Sequence, residues 1–432
     1  MFNRLASLMH RLTEQTVFAD LLAPLAEMLA RVRGAQAVGR SLSMMDFIAL
    51  GVLRHLQGTT TLREQVQALL HLDPGATARV PLARSTWSDA LASPERALVL
   101  RALCPELCTQ AASRRPDRLA DLPALGTRPV WAIDGTYQPE SAHWRRQAPR
   151  NGGEHNPKGH ALLTVYNLRA GLPEAVQVET RNRHETAILR DYDRSPGALT
   201  CVRKSLFLVD RAFIDARFWD AKKVKLGITM ITRMKSNLRI DATEGRAIDE
   251  DPINAGVVRD LRVYLSSSPA PWRLIIYRTR RGTTVEFLTN DFDLPPGLLA
   301  FLYSRRWEEE KCFDTWKNDF AQAKAWGKRP TAIENQARLA IITSVLVALL
   351  LHQRLGADGF NDVKALRRQQ RRQAKPLDAA DGTDRPDWTA PLYRYTSKVS
   401  RQVLRFFKHC FLEPASPALY EQQLRPLLMA YL

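Results

Sequence analysis

The stretch Tyr303-Ser304-Arg305-Arg306-Trp307-Glu308-Glu309-Glu310-Lys311-Cys312-Phe313-Asp314-Thr315-Trp316-Lys317 carries the pattern on which the fold of this chain turns. At about 100° per residue, a helix over it places Tyr303, Arg306, Glu310 and Lys317 within an arc of roughly 60°. Leu302, Phe313, Trp316 and Phe320 form an aromatic stripe beside that arc. Such a helix can bury one face and hold Glu310 between two cations at the edge of the buried surface. The same letters also describe a solvated face laced with ion pairs three and four residues apart, so partners elsewhere in the chain decide between the two. Among three consecutive glutamates the phase selects Glu310, because Glu308 and Glu309 lie about 160° and 100° away around the helix.

The chain around this stretch is long and basic. Its 432 residues, 45% of them hydrophobic, are enough for two or three domains with a sizeable core. Sixty-three Lys and Arg against 45 Asp and Glu leave a net charge of +18, and the pI is near 10.0. That balance favours a polyanionic partner, and nucleic acid over an anionic membrane surface. The longest apolar run, Ile341 to Leu351, falls short of the ~20 residues a membrane span needs and reads as a buried core helix. Residues 1–11 lack the apolar segment and cleavage site of a secretory signal, so a cytoplasmic protein is expected. The five cysteines (Cys104, Cys108, Cys201, Cys312, Cys410) are odd in number and have no zinc-finger spacing, which makes them buried thiols. His143, His155, His160 and His184 fit no zinc template either.

Residues 1–115 read as helical. Ser43-x-x-Asp46, Thr61-x-x-Glu64 and Thr86-x-x-Asp89 have the form of capping boxes, and Ser93-Pro94-Glu95 opens a helix running to about Ala112. The short helices after Thr61 and Thr86 suit either simple packing or a helix-turn-helix in a DNA groove.

Beyond Arg114-Arg115-Pro116 the period changes to that of strands. Pro129 to Ile133 is a β-branched and aromatic run that stops at Asp134-Gly135-Thr136, a turn signal behind an acid. Strands over Ala161 to Leu168 and Ala175 to Thr180 follow, then a helix from Glu185 to Asp193. Leu206 to Val209 is a buried strand that runs into Asp210-Arg211, succeeded by a helix over 212–224 and a strand from Ile228 to Thr232. Asp134 and Asp210 thus close two strands at their carboxyl ends, where open α/β sheets form ligand sites. Two carboxylates without a His or Cys in phase favour oxygen-liking Mg²⁺ or Mn²⁺, and with Glu310 they suggest a shared metal site. A glycosidase pair is the rival use of two acids, disfavoured by the basic charge.

These blocks resemble the insertion-sequence DDE transposases whose third block has the spacing Y-(2)-R-(3)-E-(6)-K. The chain matches every element of it, as Tyr303, Arg306, Glu310 and Lys317. Asp134-Gly135-Thr136 stands where that family's first block lies, and Asp210-Arg211-Ala212-Phe213 with Thr232-Arg233-Met234-Lys235 where the second does. Asp314 departs from the pattern, being acidic where some relatives have a basic contact. No tryptophan stands just before Phe287-Leu288-Thr289 to receive a flipped base; Trp272 and Phe287 read either as core or as substitutes for it, which leaves a hairpin pathway open. The resemblance implies an α/β, ribonuclease H-like mixed sheet with flanking helices and a β-rich insertion, preceded by an all-α domain and followed by C-terminal helices. Strands over Val257 to Leu265, Trp272 to Arg278 and Thr283 to Thr289 fit that insertion.

The domain boundaries expected on this basis are a helical DNA-binding domain at 1–115, a catalytic core at 125–235 and 298–373, and an insertion at 236–297 between its parts. A linker at 374–391 and a C-terminal helical segment at 392–432, suited to dimerisation, complete the chain. The resemblance implies cutting at terminal inverted repeats and joining of 3′ ends to target DNA. Asp134, Asp210 and Glu310 would be the catalytic and metal residues, holding two Mg²⁺ or Mn²⁺ ions. Tyr303, Arg306, Lys317, Arg211, Arg233 and Lys235 would contact DNA. A homodimer would pair the two ends, and no membrane would be involved. An inactive or domesticated DNA-binding protein, and a Mg²⁺-dependent nuclease without strand transfer, are the alternatives.

Overall fold

The computed structural model describes residues 16–373 and Gln422, apart from 33, 36–41, 59–60, 66–81, 116, 140–158, 180–183, 195–202, 280–281, 307–309, 311, 314–315, 318–319, 321 and 323. The chain divides into two compact units: Asp117–Tyr137 with His160–Glu310, and Met1–Pro116 with Gln138–Gly159 and Lys311–Leu432.

In chain order the described elements begin with four helices, α1 (Val17–Arg31), α2 (Met44–Gln57), α3 (Arg84–Leu91) and α4 (Pro94–Arg114). Strands β1 (Val130–Pro139), β2 (Gly159–Asn167) and β3 (Leu172–Glu179) precede α5 (Glu185–Arg194), β4 (Leu206–Val209), α6 (Ala216–Leu226) and β5 (Thr229–Arg233). Then come β6 (Ile240–Gly245), β7 (Val257–Leu265), β8 (Pro271–Arg278), β9 (Thr284–Thr289), α7 (Pro296–Ser304) and α8 (Pro330–Gln373).

In the helical unit the caps written in the sequence largely form. Ser43 accepts from the Asp46 amide at 3.0 Å, and Thr61 and Glu64 exchange both bonds of a capping box, at 3.0 and 3.1 Å. Ser93 caps α4. Thr86 does not cap: α3 starts two residues earlier behind Ala83, with no side-chain bond at its N-cap, so Thr86 lies inside the helix. Its burial is set by Trp87, Ala90 and Leu91, which face the core. α8 packs on α1, α2, α3 and α4. Residues Pro330–Gln353 of α8 are long and apolar enough to cross a membrane, yet they are mostly buried within the fold, as a core helix should be. Polar side chains fix its place: Arg101 grips Glu334 in a two-pronged pair at 2.6 and 2.7 Å, and Asn335 donates to the Leu91 carbonyl. Gly51 of α2 lets Leu339 of α8 pack close, because a Cβ would sit 2.6 Å from a Leu339 methyl and that side chain would have to shift.

The other unit is built on a nine-stranded sheet of order β3-β2-β1-β4-β5-β9-β8-β7-β6. β4 lies parallel to β1 on one side and to β5 on the other. A strand covered on both edges and both faces reads as an unbroken apolar run, and Leu206, Phe207, Leu208 and Val209 are all fully buried. β2 and β3 form an antiparallel hairpin. β9 pairs antiparallel with β5 and continues the sheet into β8, β7 and β6. Phe207, Phe213, Trp219 and Trp272 fill the core beneath it. Inside the insertion, the buried Arg273 is held by both oxygens of Asp260 at 2.8 and 2.7 Å, the pairing a buried charge requires. The expected fold class is the observed one, a mixed α/β sheet with flanking helices and an inserted β-rich segment.

The structure departs from the sequence reading in three places that matter. β1 does not stop at Asp134 but continues to Pro139; Gly135 is extended here rather than turning. What stops is the pairing with β4, whose last matched residues are Ile133 and Val209. β6 has no counterpart in the sequence reading, since its residues are mostly exposed at the edge of the sheet and carry no apolar alternation. Finally, Tyr303 to Lys317 is not one regular helix. α7 ends at Ser304, and the amides of Arg305 and Arg306 bond back to Leu302 and Tyr303, three residues away. Such tightened bonds overwind the last turn and change its phase. Helical geometry is present again at Glu310 and at Cys312–Phe313, with a wider π turn at Trp316–Lys317. The basic run at 367–372 lies in α8, but its side chains, the linker at 374–391 and the helices expected over 396–412 and 416–431 lie outside the described residues, as do His143, His155, Cys201, Cys410 and most of the loop of the expected helix-turn-helix. Cys104 and Cys108 are buried as expected, whereas Cys312 is only half-buried.

Candidate active site

The register of the central strands sets the site. Ile133 and Val209 are partners across the parallel pair, so the next residues, Asp134 and Asp210, emerge side by side where pairing ceases. Asp134 stays in the extended chain, and its carboxylate accepts from the Gly135 amide at 2.8 Å. Asp210 opens a 3₁₀ turn, Arg211–Phe213, in which the Phe213 amide bonds the Asp210 carbonyl and Phe213 anchors in the core.

Arg306 joins these acids to the third. One of its terminal nitrogens donates to Asp134 Oδ2 at 3.0 Å and the other to Glu310 Oε1 at 2.5 Å. The guanidinium fork suits this bridging, because its two N–H edges point at separate carboxylates. The overwound turn after α7 brings it there: Arg306 is only 7% exposed, although a regular helix would place it on a polar edge. Tyr303 is buried too, its ring packed on Phe287 at 5.1 Å and lying 5.8 Å from the Arg306 guanidinium. Trp272 and Phe287 are both buried in the sheet, as read from the sequence.

Electrostatics tie the acids together. Burial raises the Asp134 carboxyl above the usual range; Arg306 and the Gly135 amide pull it back, and the nearby Asp210 and Glu310 carboxylates push it up again. Burial is also the main reason the Tyr303 hydroxyl is raised, against the opposing pull of Arg306. Arg306, with three acidic neighbours in Tyr303, Asp134 and Glu310, is held charged despite its burial.

A fourth acid, unweighed in the sequence, stands in the same place. Glu185, the first residue of α5, is raised by burial and then by Asp134 and Asp210, with Lys235 acting against them. In the sequence it is one more acid in a helix's first turn, a position favoured by the helix dipole alone, so only the fold exposes its neighbours.

The remaining expected contacts are spread over the surface. Arg211 and Arg233 are exposed and Lys235 half-buried, all three in the unit that carries Asp134 and Asp210. Lys317 is exposed on a π turn of the helical unit. Of the histidines, His160 is buried and His184 exposed, its ring bonded to Thr186.

The description "Transposase DDE domain" belongs to the family whose model matches residues 126–346, just over half of the chain and every acid named above. The chain belongs to the DDE transposase family. It is also 24% identical over 198 residues to a protein of Sinorhizobium fredii named "Putative transposase y4zB", a match covering 44% of this chain and 53% of that protein. The chain therefore spans about half the length of that curated relative.

DDE domains use divalent metal ions, and the donors here suit such an ion chemically: Asp134, Asp210, Glu185 and Glu310 offer only hard carboxylate oxygens. Among the described residues no three such groups converge closely enough to hold an ion as they stand. Two of the four, Asp134 and Glu310, are instead engaged by Arg306. Space has been left beside the strand, since a Cβ on Gly135 would lie 2.9 Å from Glu185 Oε1.

Proposed function

We propose that this chain is an insertion-sequence transposase of the subgroup marked by the Tyr303, Arg306, Glu310 and Lys317 spacing, cutting DNA at terminal inverted repeats and joining the freed 3′ ends to target DNA. The observation that carries this reading is the Arg306 bridge: acids from β1 and from the segment after α7 share one guanidinium, beside Asp210 from the end of β4. Acids from three elements distant in sequence act on one another's charge, and a purely structural ion pair with Arg306 would not need the third.

In this reading Asp134, Asp210 and Glu310 hold two Mg²⁺ or Mn²⁺ ions. Such ions would supply activation of the attacking water or 3′ hydroxyl and charge compensation at the leaving oxygen, so that no covalent enzyme intermediate would be needed. Arg306 keeps the carboxylates oriented and neutralised until the DNA arrives, then offers its N–H groups to a phosphate. Arg211, Arg233, Lys235 and Lys317 hold the DNA backbone, and Tyr303 supports the strand near the cut. Their charge makes binding salt-dependent, each phosphate contact adding about 0.9 to the slope of log affinity against log salt. Two copies, each handling one end, form the working complex.

The test is single-turnover cleavage of a duplex carrying the inverted repeat that flanks the coding region. Asp134→Asn, Asp210→Asn and Glu310→Gln should each bind it and fail to nick it in Mg²⁺ or Mn²⁺. Normal cutting by Glu310→Gln sinks the assignment. Cutting by the unaltered chain without strand joining would favour a nuclease instead.

A further inference from the structure

We propose that Glu185 is a fourth carboxylate of the metal site, a positioning residue that holds the hydrated divalent ion bound by Asp134 and Asp210, and that Gly135 is small so that this carboxylate can reach it. The inference rests on the metal-site reading above and extends it to a residue outside the triad.

Three observations converge on Glu185. Its carboxylate lies so close to the strand that any side chain at position 135 would meet Oε1 at 2.9 Å, and Gly135 directly follows Asp134. The backbone at Gly135 is ordinary extended strand with no positive φ, so turning the chain does not explain the glycine; room does. The charges facing Glu185 are Asp134, Asp210 and Lys235, and those facing Asp134 add Arg306 and Glu310. Among these described residues the acids outnumber the cations, an excess that a divalent ion would offset. A half-buried acid turned toward two other acids costs free energy unless a cation compensates it, and a divalent ion bound there would do so. A carboxylate kept only to cap the α5 dipole would gain nothing from facing Asp134 and Asp210.

The experiment uses the full chain and Mn²⁺ alone as the probe, reading free Mn²⁺ by its paramagnetic resonance signal during titration. Glu185→Gln keeps the shape of the side chain and removes its charge, and should raise the Mn²⁺ midpoint about tenfold, the loss typical of a residue that supports metal ligands. Cleavage by this variant should recover as Mn²⁺ is raised by the same factor. Gly135→Ala should shift the midpoint in the same direction by displacing the carboxylate, and the double variant should bind Mn²⁺ no more weakly than Glu185→Gln alone. A structural role in α5 would lower the melting temperature and leave the midpoint in place. If Glu185→Gln binds Mn²⁺ within twofold of the unaltered chain while Asp134→Asn abolishes binding, the inference is overturned and the triad stands. If Asp134→Asn binds Mn²⁺ normally, the underlying site reading falls and this inference with it. Multiplying effects of Gly135→Ala and Glu185→Gln would overturn the role given to the glycine.

Discussion

Removing the Arg306 guanidinium should destabilise the metal-free protein and make its stability depend on divalent ions. The Arg306 side chain is 9% exposed, and its partners Asp134 and Glu310 are 17% and 33% exposed. In Arg306→Ala, Glu310 is open enough to regain much of its hydration, so its contribution is small. Asp134 is not: it keeps the burial that raises its pKa and loses its main compensating charge, while Asp210 and Glu310 still repel it. Breaking one partner of a buried pair costs about 3–5 kcal/mol; discounted for Glu310, about 3 kcal/mol is expected here. A divalent ion at a hundred times its dissociation constant would return about 2.7 kcal/mol. Urea unfolding followed by tryptophan fluorescence, which reports on the buried Trp219 and Trp272, should therefore show a midpoint that drops in Arg306→Ala and largely recovers in Mn²⁺, with a smaller Mn²⁺ response in the unaltered chain. Adding Asp134→Asn to Arg306→Ala should restore part of the loss without metal, because the uncompensated charge is gone. An Arg306→Ala protein as stable as the parent without metal would refute the reasoning, since the guanidinium would then not be what holds the acids together.

Phe313→Ala should cost on the order of 3 kcal/mol through lost packing, because Phe313 is buried edge-on against Trp316 at 5.9 Å; the urea midpoint measures it. Gly297→Ala should be more damaging than an ordinary overpacked site, by more than about 3 kcal/mol, since its Cβ would stand 1.9 Å from the Ile253 carbonyl oxygen and backbone cannot move aside as a side chain can; soluble yield and melting temperature report the outcome. Burial pushes the Glu174 carboxyl up to about 7 from its usual 4.5, against the opposing Asn167 hydrogen bond. An acid whose pKa is raised by folding stabilises the fold while protonated, so this contribution is present below pH 4.5 and fades as pH rises through about 7. Glu174→Gln should flatten the fall in stability over that window, a difference on the order of 3 kcal/mol between its ends, read as urea midpoints against pH. An unchanged pH profile would show that Glu174 is solvated.

Much of the sheet could be read from the letters because its signals are local. An unbroken apolar run at 206–209 marks a strand covered on every side, stretches rich in β-branched and aromatic residues mark β7 to β9, and a serine ahead of a proline marks the start of α4. The three candidate acids were legible for a related reason: Asp134 and Asp210 directly follow apolar runs, and the spacing around Glu310 matches a known family. The edge strand β6 was not legible, because exposed strands need no hydrophobic alternation. Nor was the cap of α3, where burial of Trp87 outweighed the hydroxyl at Thr86.

The sequence by itself indicated the order of the strands along the chain and, through the resemblance of its blocks to a known family, the class of the fold and a candidate triad, since periodicity and spacing are properties of neighbours in the chain. Only the tertiary structure decided what those residues meet. The helical phase at 303–317 pointed Arg306 to a solvent edge, and one overwound turn buried it between Asp134 and Glu310 instead. Glu185 lies 51 residues beyond Asp134 and 25 before Asp210, and nothing in its neighbourhood distinguishes it from any acid at a helix start. Its role arises because the β1–β4 register ends at Ile133 and Val209 and Gly135 leaves a gap there, and cross-strand register is fixed by packing between distant segments.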